Sequence, residues 1–171
     1  IIPDGTTKLR VRLIDSVGYM VPGSVGAEEN GTPRLVSTPW SDAPIPMTEA
    51  AELGTKKVME EHASIGIVVT TDGTVTDIPR VDYVEAERRA IRDIQKTGKP
   101  FVTIINTADP MGEAAANLHR ELQASYGIHA AMHVFPSGGH GWAGHDEWRY
   151  AEPCKRAIKD WLQIMQNLKT K

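Results

Sequence analysis

The sequence predicts an α/β protein, a three-layer α/β/α sandwich with a mostly parallel sheet. Short apolar, β-branched runs alternate along the chain with longer segments whose apolar residues recur at helical spacing. Such alternation is typical of parallel βαβ units, in which helices cover the sheet. The chain has 171 residues, 40% of them hydrophobic and 24% charged, which is enough for a soluble domain with its own core.

The first part of the chain is predicted to hold one strand and a long irregular segment. Polar and apolar residues alternate over 8–15, which indicates an edge strand that ends at Asp15. Glycines and prolines interrupt every periodic pattern over 16–46, so a functional or disordered loop is expected there. Met20 and Trp40 are large apolar residues within this loop, and we expect them to pack it against the domain.

The next elements are a helix and a buried strand. A helix is expected over 47–62, with Thr48 as its N-cap. Residues 65–70 form a continuous β-branched run, which is typical of a strand covered on both faces. A turn is expected over 71–74, where Asp and Gly adjoin.

A second strand and two more helices follow. One helix is expected over 82–97 and ends at Gly98, and a buried strand follows over 101–106. Another helix is expected over 111–126 and ends at Gly127. The inward-facing residues of the two helices are predicted to be Tyr83, Ala86, Ala90, Ile91, Ile94, Ala115, Leu118 and Leu122.

The last part of the chain is predicted to add a strand, a loop and a helix. The strand is expected over 128–135 and the glycine-rich loop over 136–142. Apolar residues recur at helical spacing over 154–168 and predict the final helix.

Charge and composition exclude several classes of protein. The net charge of −3 argues against binding nucleic acid through bulk positive charge. A single cysteine, Cys154, excludes an internal disulfide, and no apolar run is long enough to predict a transmembrane segment. The chain begins at Ile1 without an initiator methionine or a signal-peptide pattern, so we expect it to be part of a longer protein.

Three loops at predicted strand ends carry polar residues. In parallel α/β sheets, ligands bind at the carboxyl ends of the strands. The loops start near Asp15, Thr70 and Asn106. The first reads D-x-x-G from Asp15 to Gly18, the Walker B pattern in which the carboxylate holds Mg²⁺ and the glycine amide approaches the γ-phosphate. An ordinary Asp-Ser turn after a strand would show the same residues, so both interpretations stay open.

Many blocks in this part of the chain resemble one family. The segment V-R-L-I-D-S-V-G-Y-M-V-P-G over 11–23 resembles the Walker B segment of the stage IV sporulation protein A family. The resemblance extends through blocks at 30–34, 38–40, 44–46, 49–52, 54–58, 61–66, 70–74 and 98–100. It implies a cytoplasmic P-loop ATPase that polymerises on the forespore surface, with self-association and spore-coat proteins as partners.

The resemblance also implies roles for individual residues. Asp15 would be the carboxylate that holds Mg²⁺ through water, Gly18 would lie on the γ-phosphate side, and Asn106 would lie in the loop that faces the base. ATP and Mg²⁺ would be the cofactors. The chain contains no G-x-x-x-x-G-K-[ST] motif to hold the phosphates, so residues 1–125 are expected to be an incomplete ATPase region that is inactive alone.

A different resemblance covers about residues 126–168 of the C-terminal region 126–171. The loop H-V-F-P-S-G-G-H-G-W over 133–142 resembles the catalytic histidine loop of α/β-hydrolases of the acetyl-esterase and dienelactone-hydrolase group. It implies a serine esterase in which His140 is the general base and Asp109, 31 residues earlier, orients it. Ser24 and Ser64 are the candidate nucleophiles, but neither lies in the strand-to-helix elbow that the mechanism needs.

Three interpretations of the whole chain therefore stand. The longer resemblance favours a fragment of a spore-coat morphogenetic ATPase over an esterase with Asp109 and His140. A catalytically silent scaffold is the third. His140 is also explained as a solvated side chain in a glycine turn. The four histidines at 129, 133, 140 and 145 do not have zinc-ligand spacing.

Overall fold

A computed structural model describes residues 12–127, 149–153, 155–157 and 159–160. The chain divides into two units, one of Ile1–Leu13 with Ala131–Lys171 and the other of Ile14–Ala130. The strand predicted over 128–135 and the loop predicted over 136–142 lie outside the described residues. The elements described below belong to the second unit unless stated otherwise.

The edge strand predicted to end at Asp15 is wrong over its described part. Residues 12–20 form no regular structure, and the side chains of Leu13 and Val17 are exposed. A strand is stabilised by hydrogen bonds to a neighbouring strand and by burial of one face. Among the described residues no strand pairs with this segment, so its alternating pattern does not lead to a strand.

The segment 16–46 contains regular structure that the sequence interpretation missed. Strand β1 (Glu28–Glu29) pairs antiparallel with β2 (Thr32–Pro33). Asn30 and Gly31 connect them with φ values of 53° and 76°. Two consecutive positive φ values define a type I′ turn, for which Asn-Gly is the preferred pair.

A second short hairpin leads into the first helix. Strand β3 (Leu35–Val36) pairs antiparallel with β4 (Ile45–Pro46), and helix α1 (Met47–Lys57) follows directly. The ring of Trp40 packs on α1, since a Cβ at Gly54 would lie 3.3 Å from its Cη2 atom. The absence of a side chain at Gly54 therefore leaves space for the tryptophan ring. This agrees with the expectation that Trp40 packs the loop against the domain.

The start of α1 differs from the prediction. Pro46 occupies the N-cap position and Thr48 lies inside the first turn, so Thr48 is not the cap. The amide of Met47 instead donates to the carbonyl of Arg34 at 2.8 Å, so a backbone group of the preceding segment satisfies it. The helix continues as a π-helical segment (Val58–His62), and the predicted helix over 47–62 is confirmed in extent.

A parallel βαβ unit follows. Strand β5 (Gly66–Thr71) pairs in parallel with β6 (Phe101–Asn106), and helix α2 (Arg80–Lys96) connects them. Helix α3 (Glu113–Tyr126) follows β6 and ends at Gly127, whose φ of 60° is left-handed. These elements confirm the predicted α/β class and most of the predicted element boundaries.

The core lies on one face of this strand pair. It is formed by Val68 of β5, two residues of α2 and two of α3, which cluster as Val68, Ile91, Ile94, Leu118 and Leu122. Phe101, Ile105 and Met59 of the π-helical segment pack against the cluster. Ile91, Ile94, Leu118 and Leu122 were all predicted to face inward.

The opposite face of the pair is exposed, and the prediction that both faces are covered is wrong for the described residues. Ile67 is 52% exposed and Val69 is 64% exposed, and Ile104 is exposed beside them on β6. The helices α2 and α3 pack into one cluster with Val68, which puts both on the same side. The described residues thus form two layers, and a third layer stays a prediction.

The other unit is described only in part. Its residues 151–153, 155–157 and 159–160 are helical, within or beside the predicted final helix. Lys155 pairs with Glu152 at 3.0 Å, and the guanidinium of Arg149 lies 5.7 Å from the ring centroid of Tyr150. Across the described part of the chain, no helix is both long enough and apolar enough to cross a membrane.

Candidate functional site

A hydrogen-bonded cluster joins the loops that follow β5 and β6. The carboxylate of Asp72 accepts hydrogen bonds from the hydroxyls of Thr107 and Thr74 at 2.5 and 2.6 Å. The amide of Thr74 donates to Asp72 at 3.1 Å, and the amide of Ala108 donates to the Thr74 hydroxyl at 2.9 Å. Since β5 and β6 are parallel, their carboxyl ends meet at one edge, and this cluster holds the two loops together there.

The Asp72 carboxylate is kept ionised by this cluster. Partial burial acts to raise its pKa, but the hydrogen bonds from Thr107 and Thr74 act in the opposite direction and prevail, so the pKa is lowered. Hydrogen bonds donated to a carboxylate favour its charged form. The cluster is therefore a negative, preorganised connection between two loops at the edge where α/β proteins bind ligands.

Asn106 and Asp109 lie at the same edge. Asn106 is the last residue of β6, paired with Thr71, and its side chain is exposed. The amide of Asp109 donates to Thr107 at 3.1 Å. The Asp109 carboxylate lies against Gly112, the N-cap of α3, since a Cβ there would be 2.5 Å from its Oδ2 atom. A carboxylate beside a helix N-terminus is favoured by the helix dipole.

Asp15 and Gly18 are positioned by different contacts. Asp15 is exposed on the irregular segment. Gly18 has a φ of 80°, and its amide donates to the hydroxyl of Thr55 on α1 at 3.0 Å. In the described part of the chain, no hydrogen bond or ion pair joins either residue to Asn106.

Tyr19 fixes the same segment to α2. Its hydroxyl donates to Asp93 at 2.5 Å, and the guanidinium of Arg89 lies 4.8 Å from its ring centroid. Arg89 also pairs with Glu52 of α1 at 2.5 Å. Burial and the hydrogen bond to Asp93 raise the pKa of Tyr19, so its hydroxyl stays protonated and continues to donate.

A buried carboxylate near the carboxyl end of β5 was missed by the sequence interpretation. Glu87 of α2 accepts a hydrogen bond from the Thr70 hydroxyl at 2.5 Å and one from Arg80 at 2.9 Å. The Nη1 atom of Arg80 is buried without a partner. Glu87 lies four residues after Tyr83 and four before Ile91, so helical spacing places it on the predicted inward face of α2. An acidic residue at such a position is the sequence signal that could have revealed this buried carboxylate.

Other predicted residues do not add to this site. His140 lies outside the described residues, as do His129, His133 and His145, which were weighed with it as zinc ligands. The hydroxyl of Ser24 donates to the carbonyl of Val21 at 2.7 Å, which fits a turn residue, and Ser64 is exposed in a bend. Among the residues that the structure describes, no three His, Cys, Asp or Glu side chains group as metal ligands.

The described residues do not form a complete site for Mg-ATP. The Gly18 amide that would approach a γ-phosphate already donates to Thr55. The candidate Mg²⁺ ligand Asp15 is exposed and does not end a strand. The phosphates of a nucleotide are held by a row of amides and a lysine, and the chain has no motif of that kind. This geometry therefore supports no catalytic step through Mg-ATP.

The fold and the edge cluster together define the class of protein. Parallel strands covered by helices, with polar loops at their carboxyl ends, are the architecture of α/β domains that bind ligands at that edge. The family model described as "Stage IV sporulation protein A, ATPase domain" matches residues 1–135. The chain belongs to this family.

Three relatives agree with the family match. Stage IV sporulation protein A of Bacillus anthracis is 48% identical over 125 residues, which are 73% of this chain and 25% of the relative. The protein of the same name from Bacillus subtilis (strain 168) is 48% identical over 120 residues, 70% of this chain and 24% of the relative. That of Clostridioides difficile (strain 630) is 49% identical over 123 residues, 72% of this chain and 25% of the relative.

These matches cover only part of each relative. The chain spans about a quarter of the length of the relatives it matches. No solved structure matches. The resemblance of residues 126–171 to α/β-hydrolases receives no support from the comparisons, and neither does the esterase function that it implied.

Proposed function

We propose that this chain contributes part of the ATPase domain of a spore-morphogenetic protein that assembles on the forespore surface in the cytoplasm. One observation carries the proposal: close to half of 120–125 aligned residues are identical to those of three proteins named for a stage of sporulation. ATP and Mg²⁺ are the proposed cofactors, and further copies of the protein and spore-coat proteins are the proposed partners.

The proposed roles of residues follow the family resemblance. Asp15 would hold Mg²⁺ through water, Gly18 would face the γ-phosphate, and Asn106 would face the base. This chain alone is expected to bind ATP weakly, because it has no phosphate-binding loop. Isothermal titration of the 171-residue chain with Mg-ATP should give no micromolar binding. Micromolar affinity would contradict this part of the proposal.

A chimera tests the function itself. We would replace the segment of the Bacillus subtilis relative that matches this chain by residues 1–125 of the chain, and measure ATP hydrolysis by the purified protein and spore formation in the cell. We expect both to be retained. Asp15→Asn should reduce hydrolysis at least tenfold, because an amide holds Mg²⁺ more weakly than a carboxylate does.

The controls separate loss of function from loss of fold. Glu28→Gln removes an exposed carboxylate of β1 and should leave hydrolysis unchanged. Circular dichroism should show the same helix content in both variants. A folded chimera that does not hydrolyse ATP, or one in which Asp15→Asn has no effect, would refute the proposal.

A further inference from the structure

The turn between β1 and β2 places an asparagine directly before a glycine at the surface. Asn30 and Gly31 are both exposed. In the described part of the chain, Asn30 is the one residue other than glycine with a positive φ, at 53°. This conformation costs free energy for any residue that carries a side chain, although asparagine tolerates it better than most. The turn therefore holds Asn30 in a conformation that is favourable only while the hairpin stays paired.

The hairpin around this turn is small. Only two residue pairs join β1 to β2, namely Glu28 with Pro33 and Glu29 with Thr32. One side-chain hydrogen bond adds to them, from the Thr32 hydroxyl to the Glu29 carbonyl at 2.8 Å. Every residue from 28 to 33 is exposed. A two-stranded ribbon of this size is marginally stable, so it opens locally more easily than a packed helix does.

Two groups that can react with each other at this turn have no other partners. Among the described residues, no hydrogen bond engages the side-chain amide of Asn30 or the backbone nitrogen of Gly31. Nothing lies within 4 Å of a Cβ built at Gly31. The backbone nitrogen that follows Asn30 is thus unhindered, both by a side chain of its own residue and by neighbouring atoms.

We propose that Asn30 is a site of spontaneous deamidation. The Gly31 nitrogen loses its proton and attacks the side-chain carbonyl carbon Cγ of Asn30. A new C–N bond forms, the C–N bond of the side-chain amide breaks, and ammonia leaves, so that a succinimide ring joins the two residues. Because both groups belong to one dipeptide, the step is intramolecular. Water then opens the ring at either carbonyl and gives aspartate or isoaspartate, with one water molecule consumed for each ammonia released.

The two products have different effects on the hairpin. Aspartate keeps the normal backbone, and Asp-Gly suits the same type I′ turn. Isoaspartate routes the main chain through the side chain, which adds one carbon atom before Gly31. The loop then no longer matches a two-residue turn, and the pairing of β1 with β2 is lost. The hydrogen bond from the Met47 amide to the Arg34 carbonyl lies outside the hairpin, so the start of α1 is unaffected.

The first test follows the 171-residue chain during incubation at neutral pH and in mild alkali. Peptide mapping by mass spectrometry measures the conversion of each amide to a carboxyl group. Asn106 and Asn117 are internal controls, because Thr107 and Leu118 follow them in place of a glycine. We expect Asn30 to convert at least about tenfold faster than either control. Its rate should rise in alkali, because the attacking nitrogen must lose its proton. Equal rates at the three asparagines, or a rate at Asn30 that does not rise with pH, would overturn the proposal.

The products test the succinimide itself. Direct attack of water on the Asn30 side chain gives aspartate alone, whereas opening of the ring gives both aspartate and isoaspartate. We expect both products, distinguished by electron-transfer fragmentation of the peptide. Aspartate as the sole product would refute the cyclic route. In Asn30→Gln, the longer side chain would have to close a larger ring, so we expect this variant to convert much more slowly at the same position.

The effect on the hairpin is tested against Asn30→Asp, which carries the new carboxylate on a normal backbone. By NMR, we expect contacts between Glu29 and Thr32 across the strands of Asn30→Asp, and their loss in the isoaspartate form isolated from the incubated chain. Circular dichroism should show the same helix content in both, as a check that the rest of the fold is intact. An isoaspartate form that keeps these contacts would overturn the effect on the hairpin. These measurements involve no nucleotide, so their failure is independent of that of the proposed ATPase function.

Discussion

Glu87 is a carboxylate buried on the inward face of α2, with 7% of the residue exposed. Burying a charge costs free energy unless it is paired and hydrogen-bonded. Here the Thr70 hydroxyl and the Arg80 guanidinium supply the partners. Together they tie β5 to α2 near the carboxyl edge, so this ion pair has a structural role beside the candidate site.

Replacing Glu87 by Gln should destabilise the protein. Gln still accepts a hydrogen bond, but it leaves the guanidinium of Arg80 without a counter-charge. One nitrogen of that guanidinium, Nη1, is already buried without a partner. We expect the free energy of unfolding in urea to fall by about 1–3 kcal/mol. Glu85→Gln, which removes an exposed carboxylate of the same helix, should change it by less than about 0.5 kcal/mol. Equal effects of the two substitutions would contradict this role of Glu87.

Asp72 makes the stability depend on pH at the acidic end. The hydrogen bonds from Thr107 and Thr74 outweigh the effect of burial and lower its pKa in the folded chain. The stabilisation is therefore complete above the unfolded pKa of about 3.9 and is lost as the pH falls through the lower folded value. The difference in unfolding free energy between the native chain and Asp72→Asn should be constant from about pH 5 to pH 7 and shrink below about pH 4. A difference that does not depend on pH would contradict it.

At the scale of single residues, the sequence predicts apolar positions better than polar partners. The inward positions of Ile91, Ile94 and Leu118 follow from helical spacing alone. The hydrogen bonds of Gly18 to Thr55 and of Tyr19 to Asp93 join residues 37 and 74 positions apart. Partners at such separations depend on the tertiary fold, and no local pattern encodes them.

Strand β5 begins at a glycine because helix α2 approaches its backbone closely. A Cβ at Gly66 would lie 2.9 Å from Cγ1 and Cδ1 of Ile94 and 3.2 Å from the Cβ of Phe101. Real side chains do not approach so closely without a shift of the neighbours. The lack of a side chain at Gly66 therefore permits two things at once: the pairing of this residue with Phe101 at the start of the parallel strands, and the close packing of α2.

Gly66→Ala should loosen the contact between β5 and α2. We expect a loss of about 1–3 kcal/mol of unfolding free energy, the usual cost of overpacking a core. Ile94→Ala alone should cost about 2–5 kcal/mol, because it leaves a cavity. The double variant should lose less than the sum of the two, because shortening residue 94 removes the clash. Strictly additive losses, measured by chemical denaturation, would show that the two side chains do not compete for space.

Element prediction succeeded where one local signal decided the boundary. Gly98 and Gly127 have positive φ just after α2 and α3, as their positions in the sequence predicted. It failed for the segment 8–15, where alternation predicts a strand only if a neighbouring strand exists to pair with. It also missed β1 and β2, since strands of two residues are too short to show a period.

At the scale of the whole molecule, the sequence did not predict which faces of the strands are covered by helices. A β-branched run predicts a strand, but it does not say whether one face or both are covered. Residues 65–70 were predicted to form a strand covered on both faces and residues 101–106 a second buried strand, and the described residues cover only the face that carries Val68. The prediction of the site was limited in the same way. Asp15 and Asn106 lie close together only if the two strands predicted to carry them are neighbours in the sheet.

The layer arrangement gives a direct test on two adjacent residues of β5. Val68 is buried under α2 and α3, whereas Val69 is 64% exposed on the opposite face. Val→Thr changes one methyl group to a hydroxyl with little change of volume. The resulting loss of unfolding free energy therefore shows whether water reaches the side chain at that position. We expect Val68→Thr to cost about 1–3 kcal/mol, because a hydroxyl is buried without a partner. Val69→Thr should stay within about 0.5 kcal/mol, because water can reach its hydroxyl. Both are measured by urea unfolding of the 171-residue chain. If the two substitutions cost the same, a further layer covers Val69 in solution, and the three-layer sandwich predicted from the sequence would be the better description.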